Sequence, residues 1–237
     1  PELGDAWNNL ANLLRSDGRL EEAVAHYRTA LQLQPRNPSL LYNLGLVLEQ
    51  LDRPREALAA ATQAAGCQPG HVPARMLAGR LNLRLDRFAA AEEQFEAIVV
   101  LDPDHASAWA NLGNLLAERG DYVAASGAFR EAIRCDSRRP GPYRSLIRLL
   151  ANAPAPSRQA TWELLLLAED LVAVAGSDDA ASLELLAMAR AATGKDEAAM
   201  AAARRALEAA LREGDDPAAE RLSAFLSDRR GLEVARD

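Results

Sequence analysis

The stretch WNNLANLLRSDGRLEEAVAHYRTALQLQP, residues 7–35, returns in altered form at residues 109–137 as WANLGNLLAERGDYVAASGAFREAIRCDS. Trp7 and Trp109 stand three intervals of 34 residues apart, and the same interval organises the chain between them. Ala23, Ala57, Ala91 and Ala125 recur at it, as do Pro35, Pro69 and Pro103, and Gly45, Gly79 and Gly113, with Ala11 in the equivalent earlier slot. Beside these ladders Leu10, Leu44 and Leu112 share one slot, and Tyr27, Phe95 and Phe129 another. A fixed period of this length predicts stacked supersecondary units that cannot bury their apolar faces alone. Small residues let two helices approach closely, large ones fill the gap, and a closing Pro stops the second helix because it lacks the N–H and clashes with the preceding turn.

Trp7, Leu10, Ala11, Leu14, Ala23, Tyr27, Ala30 and Pro35 follow the pattern W-x2-L-G-x2-Y, A-x3-F, P, and at these residues the chain resembles the tetratricopeptide repeat family. The resemblance implies an all-α, right-handed superhelical solenoid of about six helical hairpins with a C-terminal capping helix. Four regular repeats are read at 4–37, 38–71, 72–105 and 106–139. An irregular fifth begins at Pro140, is interrupted by Ala151 to Ser157, and resumes as a helix from about Arg158 to Ala175. A degenerate sixth spans 180–213, and Asp216 followed by Pro217 reads as the N-cap and first turn of a capping helix over 216–229, in the same solenoid. The first repeat starts within a few residues of Pro1, which leaves no room for an N-terminal cap and suggests an omitted upstream segment.

Composition bounds the function. Of 237 residues, 49% are hydrophobic and only 5% aromatic, which suits closely packed helices and argues against a β-sandwich or barrel. The net charge of -7 argues against a generic nucleic-acid or anionic-membrane binder. No apolar run approaches the roughly 18 residues of a spanning helix. Cys67 and Cys135 occupy equivalent slots two repeats apart, too far for a disulfide, so free thiols and a reducing, cytoplasmic compartment are expected.

Signals of catalysis fail on spacing. Gly194-Lys195 resembles the tail of a phosphate-binding loop, but Asp196 replaces the Ser or Thr that would hold magnesium and Ala189 replaces the first Gly. His71 and His105 are one repeat apart, beyond the reach of a shared zinc, and read as solvated loop histidines. His26 reads as a surface residue. Glu21-Glu22 and Glu92-Glu93 fall where helices begin, so first-turn stabilisation by the macrodipole explains both pairs. The chain is expected to have no enzymatic activity, no cofactor and no metal.

What remains is the concave face, which the family resemblance places on the first helix of each hairpin. Asn9, Asn43 and Asn111 share one slot there, and Asn12 and Asn114 another. An amide offers both donor and acceptor, so a row of them suits the backbone of an extended peptide. Further along, Met76, Leu77, Arg80, Arg84, Arg144 and Arg148 make a basic, partly apolar stretch, which suits a partner segment combining acidic and apolar side chains. Glu49, Glu118 and Glu184 on the same face compete for these arginines. Repeats one, two and four are also similar to the repeat arm of O-linked N-acetylglucosamine transferases, a family in which such an arm feeds substrates to a separate catalytic domain. Three readings follow: a protein-interaction scaffold binding a peptide in its groove, a recruiting arm of a larger bacterial enzyme such as a glycosyltransferase, and a self-associating module in which copies stack end to end.

Overall fold

A computed structural model describes residues 2–152 and 157–234. Its described residues form thirteen α-helices and no strand. In chain order these are α1 (Glu2–Ser16), α2 (Leu20–Leu33), α3 (Pro38–Gln50), α4 (Pro54–Cys67), α5 (Val72–Arg84), α6 (Phe88–Leu101), α7 (Ala106–Glu118), α8 (Tyr122–Cys135), α9 (Pro140–Ala151), α10 (Arg158–Ala175), α11 (Ala180–Ala192), α12 (Asp196–Glu213) and α13 (Asp216–Val234). The chain divides into two compact units, residues 1–115 and 116–237, and the boundary falls inside α7.

Each turn between the helices of a regular hairpin closes the same way. The backbone N–H of Arg19, Arg53 and Arg87 donates to the carbonyl five residues back, on Leu14, Leu48 and Asn82, at 2.9 Å in each case. This closure requires a left-handed residue just before the arginine. Gly18 supplies it at φ 77, whereas Asp52 and Asp86 adopt φ 58 and 57, among the few residue types that tolerate this region. The arginine then clamps the first turn of the next helix: Arg19 Nε donates to Glu22 Oε1 and Arg53 Nε to Glu56 Oε1, both at 2.7 Å. Glu92 and Glu93 depart from expectation. Because α6 starts at Phe88, they lie beyond its first turn, which holds no acid.

The longer connections end in side-chain caps. Asn37 Oδ1 accepts from the N–H groups of Ser39 and Leu40 at the start of α3. Ser157 and Asp179 cap α10 and α11 in the same manner, as Asp121 does for α8 at the end of a short hairpin turn. The cap of α13 is Asp215, whose Oδ1 accepts from Ala218 N–H at 3.1 Å, and not Asp216, which is already helical. Of the interruption read at 151–157, Ala151 closes α9 and Ser157 caps α10, while residues 153–156 lie outside the described residues.

In the first unit α1 packs on α2, α3 on α4 and α5 on α6, and successive hairpins join through α2 against α3 and α4 against α5. The close approach depends on glycine: a Cβ on Gly79 would lie 2.6 Å from the ring of Phe95, and one on Gly45 would lie 3.0 Å from Leu77 Cδ2. Tyr27 and Phe95 are fully buried, each contributing about 2–3 kcal/mol of apolar burial. In the second unit α8 to α13 pack each on the next, and α11 also touches α9 and α13. Leu165, Leu171, Leu183, Ala203 and Ala206 form its centre. In the sixth hairpin Ala203 replaces the aromatic plug, and Leu183, Leu186 and Met200 are buried with it.

Candidate functional site

In the first unit α1, α3 and α5 lie in succession, with α3 touching α5 directly. A side-chain bridge joins the first two: Asn43 Nδ2 on α3 donates to Asn8 Oδ1 on α1 at 3.3 Å. Asn9, next to Asn8, is exposed. Asn8 was absent from the sequence candidates. The signal for it was its place one slot from the Asn9–Asn43 row.

The other asparagines are differently engaged. Asn12 is half-buried, and its Oδ1 accepts from the hydroxyl of Tyr27 at 2.6 Å. Tyr27 is a core residue, and burial pushes its hydroxyl above the ordinary tyrosine range despite the opposing charge of Arg15. Asn12 thus ties α1 to α2. Asn111 Nδ2 donates back to Ser107 O at 2.9 Å, within its own helix, and Asn114 is exposed.

The apolar and basic candidates also divide. Met76 is half-buried, whereas Leu77 is 1% exposed and belongs to the core, against Gly45. The expectation that Leu77 faces a ligand is therefore corrected: an apolar residue at this slot turns inward to fill the space over the glycine. Arg80 bonds both oxygens of Glu49, with the shorter contact 3.0 Å, and Arg84 pairs with Asp52. In the second unit Arg144 Nη2 holds both oxygens of Asp179 at 2.9 Å. Burial alone would raise the Asp179 carboxyl, but hydrogen bonding from Ser182 and the Arg144 guanidinium hold it below the ordinary carboxylate range. Arg148 is exposed and makes no ion pair among the described residues.

The same arrangement recurs outside the candidates. Arg28 with Glu56, Arg130 with Glu163, and Arg221 with Glu184 each join residues roughly one repeat apart. The abundance of arginine thus has a structural use, since planar guanidiniums reach across the step between hairpins and grip a carboxylate with two bonds. Glu49 takes one of the candidate arginines, Arg80, whereas Glu184 holds Arg221, which was not among them.

The histidines also differ from expectation. His71 and His105 are half-buried N-caps, their Nδ1 atoms accepting from Ala74 and Ala108 N–H at 3.1 Å. His71 also leans on the ring of Tyr42, and His26 stacks on Trp7 with centroids 4.9 Å apart. Cys67 and Cys135 are not joined in a disulfide. Among the described residues no three of His, Cys, Asp and Glu are placed to hold a metal ion, and no helix is long and apolar enough to cross a membrane.

Comparisons with known proteins agree with this geometry. The tetratricopeptide repeat profile matches residues 5–52 and 76–140. Over 145 residues the chain is 25% identical to the protein O-mannosyl-transferase TMTC3 of Mus musculus, covering 55% of this chain and 16% of that protein. Among solved structures, PilF of Pseudomonas aeruginosa superimposes with a TM-score of 0.75 at 18% identity, covering 94% of this chain and 98% of that one. YrrB, described as a TPR protein with an unusual peptide-binding site, superimposes with a TM-score of 0.67 at 15% identity, covering 84% and 97%. By repeat pattern, hairpin geometry and profile together, the chain carries tetratricopeptide repeats within residues 5–52 and 76–140.

Proposed function

We propose that the chain is a non-enzymatic protein-interaction scaffold that holds an extended peptide segment of a partner along the first helices of its hairpins. The observation that carries this reading is the Asn43–Asn8 bridge with Asn9 exposed beside it. It sets amides from two successive helices side by side, where a peptide backbone finds donors and acceptors without side-chain selection. Asn111, Asn114 and Met76 extend the same row of slots. In the first unit Arg80 and Arg84 already hold carboxylates, so an acidic partner there exchanges with Glu49 and Asp52. In the second unit Arg144 holds Asp179, whereas Arg148 meets an acidic segment directly. The neighbour YrrB supports a peptide binder, and two cysteines not joined in a disulfide support a reducing, cytoplasmic compartment.

The test is a selection of random extended peptides on the full chain, followed by titration of the selected peptides against Asn9→Ala/Asn43→Ala/Asn111→Ala. At about 0.5–1.5 kcal/mol per hydrogen bond, three lost bonds weaken binding on the order of tenfold to a hundredfold. Unchanged affinity for every selected peptide overturns the reading. A second reading, a recruiting arm of a larger enzyme, is favoured by the match to a transferase of which the chain spans 16%. Its test is an immunoblot of the source cell: a native polypeptide near 25.5 kDa removes it.

A further inference from the structure

The sixth hairpin closes its first helix on two alanines, a pair that no regular repeat carries at these slots. Where the regular repeats carry Arg15-Ser16, Glu49-Gln50, Leu83-Arg84 and Ala117-Glu118, the sixth has Ala191-Ala192. The small side chains leave a cleft of about 390 Å³ between α11 and α13 in the second unit. That volume lies at the lower end of the range of about 300–1,000 Å³ typical of ligand sites. Its lining is apolar: Leu222 is buried, Phe225 half-buried, and Met188 43% exposed. An adaptable thioether at such a wall accommodates more than one side-chain shape.

The rim supplies the charge. Arg221 Nε and Nη2 donate to the two oxygens of Glu184 at 3.0 and 3.1 Å, and Nη1 makes no hydrogen bond among the described residues. The Arg221 side chain is 59% exposed against 22% for Glu184, so the pair turns its cationic member to solvent. A guanidinium carries five N–H donors, and the unused ones fit a second carboxylate. Two turns further along α13 the Arg229 guanidinium, paired with Asp196, lies 5.0 Å from the centroid of Phe225.

We infer that this cleft docks a bulky apolar side chain of a partner peptide, with a neighbouring Asp or Glu of that peptide accepting from Arg221. The inference rests on the reading of the chain as a peptide-binding scaffold, but it concerns other helices than the asparagine row. An apolar anchor in a pocket with a charge-assisted bond at its rim is the arrangement in which few residues carry most of the binding energy.

The experiment selects random dodecapeptides displayed on phage against the full chain, with counter-selection on Ala192→Phe, whose ring fills the cleft. Peptides that distinguish the two proteins are expected to carry an apolar residue beside Asp or Glu. Their affinity is expected to fall by about tenfold or more on Ala192→Phe and by about three- to tenfold on Arg221→Gln. Arg221→Gln changes an exposed side chain and keeps the test decisive should Ala192→Phe fail to fold. Selected peptides that bind both variants as tightly as wild type overturn the cleft. If the same peptides are weakened by the triple asparagine variant, the asparagine-row reading survives alone. No selected peptide at all overturns both. A fluorescent dodecanoate that binds wild type but not Ala192→Phe, with no peptide doing so, makes the cleft a small-ligand site and also overturns the proposal.

Discussion

Gly79 on α5 lies directly against the ring of Phe95 on α6: a Cβ on the glycine would stand 2.6 Å from Cε1 and 2.7 Å from Cζ. Phe95 is fully buried and has no room to withdraw. Gly79→Ala gains about 1 kcal/mol of helix propensity, but overpacking a rigid aromatic costs about 1–3 kcal/mol, so a net loss is expected. Gly127 in α8 is the control, being exposed with nothing within 4 Å of a built Cβ. Gly127→Ala should raise stability by about 0.5–1 kcal/mol. Urea denaturation of both variants checks the pair, and a stabilising Gly79→Ala would refute the packing argument.

The Ala74 N–H at the start of α5 donates to both His71 Nδ1 and the His71 carbonyl, each at 3.1 Å. Replacing His71 by Ala should cost about 1 kcal/mol, whereas Asn, a strong cap, should retain most of the stability. Thermal unfolding of His71→Ala and His71→Asn separates capping from packing on Tyr42. If both variants lose equally, the ring contact is the larger contribution.

Acid should release the contact between α9 and α11 that Asp179 anchors. Its carboxyl sits below the ordinary 3.8 in the folded chain, so its contribution is complete above about pH 4. It is lost as pH falls through the folded value, where protonation removes the charge that Arg144 holds. Asp179→Asn should therefore lower stability at pH 7 by about 1–2 kcal/mol, with the gap to wild type closing below pH 3.8. Chemical denaturation at stepped pH measures it, and a gap independent of pH would refute the pairing.

Ser182 is fully buried, and its Oγ, although beside the Asp179 carboxylate, makes no hydrogen bond of ordinary geometry. Its slot holds Ala74 and Ala108 in the third and fourth repeats, both fully buried. Ser182→Ala should thus stabilise the second unit by about 1 kcal/mol by removing an unsatisfied hydroxyl, while the backbone N–H that bonds Asp179 is retained. A lower midpoint in guanidinium would show that the hydroxyl has a partner in solution.

The sequence by itself determined the helices, the hairpins and the repeats. Recurrence of Ala23, Gly45, Tyr27 and Pro35 equivalents is a local record of one packing solution used repeatedly, and a repeated contact leaves a repeated residue. Helix ends were legible where a turn residue marks them, as at Arg158 and Ala175 for α10. The positions of single polar side chains were not, because these depend on partners one repeat away. Asn12 is drawn toward Tyr27, Arg80 to Glu49, and Arg144 to Asp179, each across a gap that only stacking creates. Leu77 occupies the slot of Asn43, yet its apolar side chain is buried over Gly45. His71 and His105 precede helices whose first N–H groups need an acceptor, a signal present in the sequence that gains meaning from the helix start. The α11–α13 cleft was decided by tertiary structure alone: Ala191 and Ala192 look like ordinary helix formers, and the space they leave open exists only once α13 lies beside α11.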